Sequence, residues 1–214
     1  MHCFPSPGVL TDLELVKMKI CMVGEAAVGK TSLVRRFVHD VFNEAYAATL
    51  GARVTKREIH FRGLEVERHV RVDMTLWDIM GERFVRDELR ESYLLGAQGV
   101  IGVADLARPS TMEALETWVD WVRNAVGEVP VVYAINKLDL LPELMKRPSD
   151  EELENAFGMK DVFWFYTSAR SGQGVSGLFT SLAKQVLAEV LDYQIEPLQQ
   201  AEGPRTATVE FHGP

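Results

Sequence analysis

The chain predicts an α/β fold, a largely parallel sheet with helices on both faces, on three observations. Short apolar runs without alternation at residues 100–103, 129–135 and 162–166 have the pattern of strands covered on both faces. Helical stretches lie between them, and strand alternating with helix means parallel neighbours joined by crossovers. A glycine-rich turn sits where the first apolar run meets the first helix, which marks the end of the sheet where loops gather.

Taken in order, residues 17–23 form a run rich in Ile, Val and Met that ends at Gly24. Residues 31–38 then place Leu33, Val34, Phe37 and Val38 on one helical face. Residues 54–61 and 68–77 are β-like, and Val70, Val72, Met74 and Leu76 alternate along the second. The intervening residues 62–67 carry Gly63, so the pair reads as a hairpin and the antiparallel part of the sheet. Further helices are expected at 83–95, 110–126 and 177–191, with a shorter one at 150–157. Residues 1–16 read as an N-terminal extension and 17–192 as one domain. Residues 193–214, with three prolines from Glu196 onward, read as a flexible C-terminal tail.

A length of 214 residues, at roughly 100–200 per domain, is enough for one full core with extensions. The 47% hydrophobic, 25% charged composition excludes wholesale disorder and collagen-like repeats. A formal charge of −8 disfavours polyanions, so nucleic acid is not expected as a partner. Two cysteines, Cys3 and Cys21, cannot staple a domain of this size, which points to a reducing compartment. No apolar stretch reaches the 18 or so residues of a membrane span, and the first eight residues lack the pattern of a signal peptide. A cytoplasmic location is therefore expected. No cysteine follows Cys21, so no prenyl anchor is expected, and membrane association would come only through a partner.

Gly24-Glu25-Ala26-Ala27-Val28-Gly29-Lys30-Thr31 matches the phosphate-binding loop pattern of Gly, four residues, then Gly-Lys-Ser/Thr, and Ser32 continues into the helix. Glycines let successive N–H groups turn toward phosphate oxygens, and the helix adds its positive end. Lys30 would bridge the β- and γ-phosphates and the Thr31 hydroxyl would reach Mg²⁺. Without a ligand the same residues are a glycine-rich β-to-α turn. Asn136-Lys137-Leu138-Asp139 closes the apolar run 129–135. There the Asp139 carboxylate can accept from both N1–H and the exocyclic amine of guanine, a pattern adenine does not offer. Asn136 would brace the loop and Lys137 lay its stem along the base. Thr167-Ser168-Ala169, running on to Arg170, ends the next strand and could offer backbone N–H groups to the guanine carbonyl. Alone, each is an ordinary turn or helix cap. Trp77-Asp78-Ile79-Met80-Gly81 ends the hairpin, where Asp78 would hold Mg²⁺ through water and the Gly81 N–H would meet the γ-phosphate.

With these motifs in this order, residues 17 to about 192 resemble a small GTPase of the Ras superfamily, most similar to the Rab branch. The stretches that carry the resemblance are residues 24–38, 77–81, 96–105 and 136–139, with Thr167-Ser168-Ala169. The resemblance implies a P-loop NTPase fold with a six-stranded, mostly parallel sheet containing one antiparallel strand. It also implies Mg²⁺-dependent binding of GTP and GDP and slow hydrolysis. Two switch segments, at about 42–55 and 80–95, would bind effectors in the GTP state, and an exchange factor and an activating protein would be the regulators. By position, Thr49 is similar to the first-switch threonine that closes over Mg²⁺ and the γ-phosphate. Phe42 resembles the aromatic that packs against guanine. Read cold, Thr49 is a loop residue and Phe42 a core residue. Lys30, Thr49, Gly81 and Glu82 form the expected catalytic set.

Two departures bear on rate. Glu82 stands where the family usually has a glutamine that orients the attacking water, and a carboxylate cannot donate that hydrogen bond. Ala26 and Ala27 replace glycines of Ras-like members, and a methyl at Ala26 crowds the path of an activator's arginine, a group worth about 10³–10⁵ in rate. Arg83 could supply an arginine in cis, although a solvated helix charge explains it as well. A long-lived GTP state is expected. The alternatives are a hydrolysis-deficient scaffold that holds GTP permanently, and a P-loop kinase or ATPase, which residues 136–139 disfavour.

Overall fold

Strand β1 (Leu13–Val23) pairs in parallel with β3 (His69–Ile79) along its length, from Leu13 opposite His69 to Met22 opposite Asp78. Only its last four residues, Ile20–Val23, also pair with β4 (Gly99–Asp105). That difference sets its burial: Ile20, Cys21 and Met22 are fully enclosed, whereas Leu13 and Leu15, with one neighbour strand, are exposed. Strand β2 (Ala52–Gly63) returns antiparallel to β3, and β5 (Val131–Asn136) and β6 (Phe163–Tyr166) extend the parallel part beyond β4. The order is β6-β5-β4-β1-β3-β2, the six-stranded sheet with one antiparallel member that the resemblance implies. The computed structural model describes residues 13–43, 49, 51–64, 68–81, 87–143, 148–149, 151–153, 163–192, 194–198 and 208–211.

Two further strands join the outer edge of β2, where the sequence predicts none. Strand β7 (Ile195–Pro197) pairs with Phe61–Gly63 and β8 (Thr208–Phe211) with Ala52–Thr55, both antiparallel. At three and four residues both are too short to be recognised as strands, and both depend on an edge supplied from elsewhere in the chain. The Pro197 ring, which has no N–H, is tolerated because β7 is an edge strand. β1 also begins four residues before the apolar run that predicts it, because the long hairpin arm β3 offers partners as far back as His69.

Helix α1 (Lys30–His39) and α4 (Val175–Ala188) cover one face of the sheet, and α2 (Asp87–Leu94) and α3 (Ser110–Val126) the other. Phe37 stacks on Phe179 with ring centroids 4.1 Å apart and planes 11° from parallel, which locks α1 to α4. On the opposite face Trp118 is buried and meets Trp121 edge-on at 4.9 Å, so both tryptophans serve packing. Gly102 in β4 is required by proximity: a Cβ there would stand 2.8 Å from the Tyr133 ring. Of the expected helices at 83–95 and 150–157, the described portions, Asp87–Leu94 and residues 151–153, are helical.

All the parallel strands end at one edge of the sheet, at Val23, Ile79, Asp105, Asn136 and Tyr166. In doubly wound sheets the ligand crevice lies outside the carboxyl ends of the strands. The residues after those ends are the ones that the motifs single out.

The Phe37–Phe179 stack predicts that Phe179→Ala lowers unfolding stability by about 3–5 kcal/mol, the range for deleting a buried aromatic ring. Phe37→Ala, from a partly buried site, should cost less. Urea unfolding of both variants at one nucleotide concentration checks the order.

Candidate functional site

After Val23 the backbone turns on residues held at positive φ: Gly24 at 133°, Ala27 at 60° and Gly29 at 105°. A Cβ on Gly24 would collide with the Val103 carbonyl, so β4 itself demands glycine at the loop's start. Gly29 is the N-cap of α1 and contributes no side-chain cap, and no acidic residue occupies the helix's first turn. The N–H groups there are left to an anion, and the helix dipole adds a positive end.

Lys30 is 6% exposed and its Nζ donates to the carbonyls of Gly24 at 2.7 Å and Glu25 at 2.8 Å, so the side chain spans the loop it follows. Burial pushes its pKa down to about 8, opposed by the Asp78 carboxylate. Asp78, 1% exposed at the end of β3, accepts from the Thr31 hydroxyl at 2.5 Å through Oδ2. Burial pushes its pKa up, while the Thr31 hydrogen bond and Lys30 work against that. The Thr31 and Thr49 hydroxyls lie 3.0 Å apart. Asp78 Oδ1 is buried without a hydrogen-bond partner. Three hard oxygen donors, one of them orphaned and anionic, suit a magnesium ion, which takes few carboxylates and keeps its other positions for water and phosphate. Gly81 approaches so closely that a Cβ would stand 2.5 Å from Lys30 Nζ and 2.6 Å from the Ala26 nitrogen.

The second half of the site hangs on Asn136, 2% exposed at the end of β5. Its Nδ2 donates to the Val28 carbonyl at 2.9 Å, while Oδ1 accepts from the Thr167 hydroxyl and the Ala169 N–H, each at 3.2 Å. Lys137 adopts φ 69° and sends Nζ to Asp105 Oδ2 at 2.7 Å, which stretches its stem along the cleft wall. Asp139 lies in a 3₁₀ turn over Leu138–Glu143, where the Ser168 hydroxyl donates to Oδ1 at 2.5 Å. One carboxylate oxygen is thereby tethered and the group is aimed.

Most of the expected site residues line one cleft of about 520 Å³, whereas Gly24, Glu25, Val28, Asp78 and Ser168 are not among its lining residues. Ala26, Ala27, Gly29, Lys30, Thr31, Ser32, Phe42, Thr49, Gly81, Asn136, Lys137, Asp139, Ala169 and Arg170 all contribute to its wall. Glu82, with Arg83, lies outside the described residues. The sequence motifs do not single out three residues that hold the walls. Arg36 of α1 donates through Nε to the Ala169 carbonyl at 2.8 Å and through Nη2 to the Arg170 carbonyl at 2.7 Å, tying the base-side loop to the helix of the phosphate loop. Asp105 accepts from Lys137 and from Arg108 Nε, and Arg108 Nη2 donates to the Ala26 carbonyl at 2.9 Å. Burial pushes the Asp105 carboxyl up, but the Lys137 and Arg108 hydrogen bonds outweigh it and hold it below the usual range. The signal for Asp105 was its place at the end of a buried strand. Arg36 and Arg108 carried none, because backbone carbonyls as partners leave no trace in sequence.

Residues 19–139 match the family model described as Roc, the Ras of Complex domain of DAPkinase. The chain is 32% identical over 185 residues to the Ras-related protein Rab-32B of Dictyostelium discoideum, covering 83% of this chain and 67% of that protein. It is 30% identical over 190 residues to the GTP-binding protein ypt5 of Schizosaccharomyces pombe, covering 88% and 83%. To the Ras-related protein Rab-13 of Rattus norvegicus it is 32% identical over 171 residues, 79% of each chain.

Because burial pushes the Lys30 pKa down to about 8, a polyanion that needs its charge should bind less well above that pH. Affinity for GDP is expected to fall toward tenfold per pH unit above about 8, with proton uptake on binding visible as a buffer-dependent heat. Lys30→Met, weaker throughout, should lack that pH-dependent component. The folded, empty protein should gain stability between pH 8 and 10.5, as the buried charge is relieved, and Lys30→Met should not.

Proposed function

From the premise that the chain belongs to the Rab-like small GTPases of the Ras superfamily, we propose that it is a Mg²⁺-dependent guanine-nucleotide switch that hydrolyses GTP slowly and engages an effector in the GTP state. The observation that carries the reading is the meeting of Thr31, Thr49 and Asp78 around an orphaned carboxylate oxygen, beside a buried lysine that spans the phosphate loop.

The loop amides and Lys30 would take the phosphates, and Thr31, Thr49 and Asp78, the last through water, would hold the metal. When bound, the metal supplies charge neutralisation at the β- and γ-phosphate oxygens. Asp139, held by Ser168, selects guanine through the paired donors of its Watson–Crick edge, and Phe42 closes the cleft beside it. Thr49 is the part that senses the γ-phosphate. Its hydroxyl sits 3.0 Å from Thr31, on a segment linked to β3 by the hydrogen bond from Met80 N–H to the Gly51 carbonyl. A γ-phosphate engages Thr49 and the Gly81 N–H together, so both switch segments respond to its loss.

The rate argument rests on Glu82 and Ala26. Glu82 cannot donate to the attacking water and adds negative charge beside the γ-phosphate. The Ala26 methyl narrows the approach for an external arginine, on a residue whose carbonyl Arg108 already holds. The same two residues favour a second reading, a GTP-bound scaffold without useful hydrolysis.

Denaturing freshly purified protein and identifying the released nucleotide tests both. GDP supports the turning-over switch, GTP supports the scaffold, and the absence of a guanine nucleotide, with no binding on direct titration, overturns the assignment. In single-turnover assays Glu82→Gln is expected to hydrolyse GTP faster than the native chain. A native chain faster than the variant would sink the argument for a slow step at Glu82.

A further inference from the structure

Arg108 stands three residues beyond the end of β4 and reaches back to the phosphate loop. Its Nε donates to Asp105 Oδ2 at 2.8 Å and its Nη2 to the Ala26 carbonyl at 2.9 Å. Asp105 is 2% exposed, and its carboxylate is fixed in turn by the Lys137 ammonium at 2.7 Å and the Ala107 N–H at 3.0 Å. One end of the planar guanidinium is thus anchored on a buried ion, and the other end is applied to the loop.

That bond sets which way one peptide unit faces. Ala26 and Ala27 line the cleft and Arg108 does not, so the Ala26 carbonyl points out of the cleft, toward the guanidinium. A trans peptide is planar with its C=O and N–H opposed, which turns the Ala27 N–H into the cleft. Ala27 is held at φ 60°, a left-handed conformation uncommon for a residue with a side chain. Such strain persists only where the surroundings over-determine it, and the Arg108 bond holds the peptide that leads into it. A charged donor on the carbonyl also draws electron density along the peptide, so the N–H at its far side becomes a stronger donor.

We propose that Arg108 is a positioning residue for hydrolysis, one that orients and polarises the Ala26–Ala27 peptide so that the Ala27 N–H donates to the phosphate oxygens that gain charge as the terminal phosphoryl group leaves. The arginine acts from inside the chain and through the backbone, without touching nucleotide. An activator's arginine, by contrast, meets the transition-state charge directly. Because that charge is larger in the transition state than in bound GTP, the polarised N–H serves the rate more than the affinity. The inference rests on the reading of the cleft as a GTP site.

The test compares the native full chain with Arg108→Met and Arg108→Lys by three measurements. These are single-turnover hydrolysis of GTP with Mg²⁺, Kd for GTP, and the Ala27 amide proton shift in ¹⁵N-labelled protein loaded with GDP. Arg108→Met is expected to hydrolyse GTP about tenfold more slowly, with Kd changed by less than about threefold and the Ala27 proton moved upfield. Arg108→Lys, which keeps a charged donor, is expected to recover part of both the rate and the shift. Unchanged hydrolysis in Arg108→Met overturns the proposal. So does a loss of affinity that matches the loss of rate, or an Ala27 signal indifferent to the substitution. A native chain that binds no nucleotide overturns the switch reading and this role together, whereas failure of the role alone shows in a chain that binds GTP and is indifferent to Arg108.

Discussion

The side chain of Asn136 joins two loops that sequence places far apart. Its amide nitrogen holds the Val28 carbonyl in the phosphate loop, and its oxygen holds Thr167 and Ala169 in the loop after β6. All of this is buried, where a lost partner leaves a polar group unsatisfied at a cost of about 1–3 kcal/mol each. The contact also dictates sequence at a distance, since a Cβ on Gly29 would collide with the Asn136 amide nitrogen. The phosphate end and the base end of the cleft are therefore held at a fixed separation by one residue, which a ligand of defined length requires.

Around that brace the site stores charges in an unfavourable setting. Burial drives Lys30 and Asp78 both toward neutrality, one down and the other up. Their partial compensation is mutual, together with the Thr31 hydroxyl. A polyanion with a divalent cation reverses both pressures, because each buried group then faces an opposite charge. Lys137, Asp105 and Arg108 form the contrasting case, a chain of hydrogen-bonded ions complete within the protein that sets the shape of the wall.

The fold and the residues that line the cleft were legible because they leave local marks. Apolar runs of the buried strands, alternation in β3 and the Gly-Lys-Thr turn each follow from physics acting over a few residues. The supports were not legible for the opposite reason. Arg36 grips carbonyls of residues 169 and 170, and Arg108 grips that of Ala26, so neither partner's identity matters to the bond. The strands β7 and β8 were hidden in the same way. Ile195–Pro197 and Thr208–Phe211 are only three and four residues long and gain their pairing from the free edge of β2. Local pattern reports side-chain burial, and backbone pairing at an edge asks little of side chains.

Because β8 is tethered, its hold on β2 does not depend on how much protein is present. Residues 199–207 join β8 to β7 covalently, so β8 meets β2 as an intramolecular partner at an effective concentration that does not change with that of the chain. A strand too weak to bind as a free peptide can thus stay in place at cellular dilution. Lengthening or shortening residues 199–207 would change how firmly β8 holds β2 without altering any residue that lines the cleft.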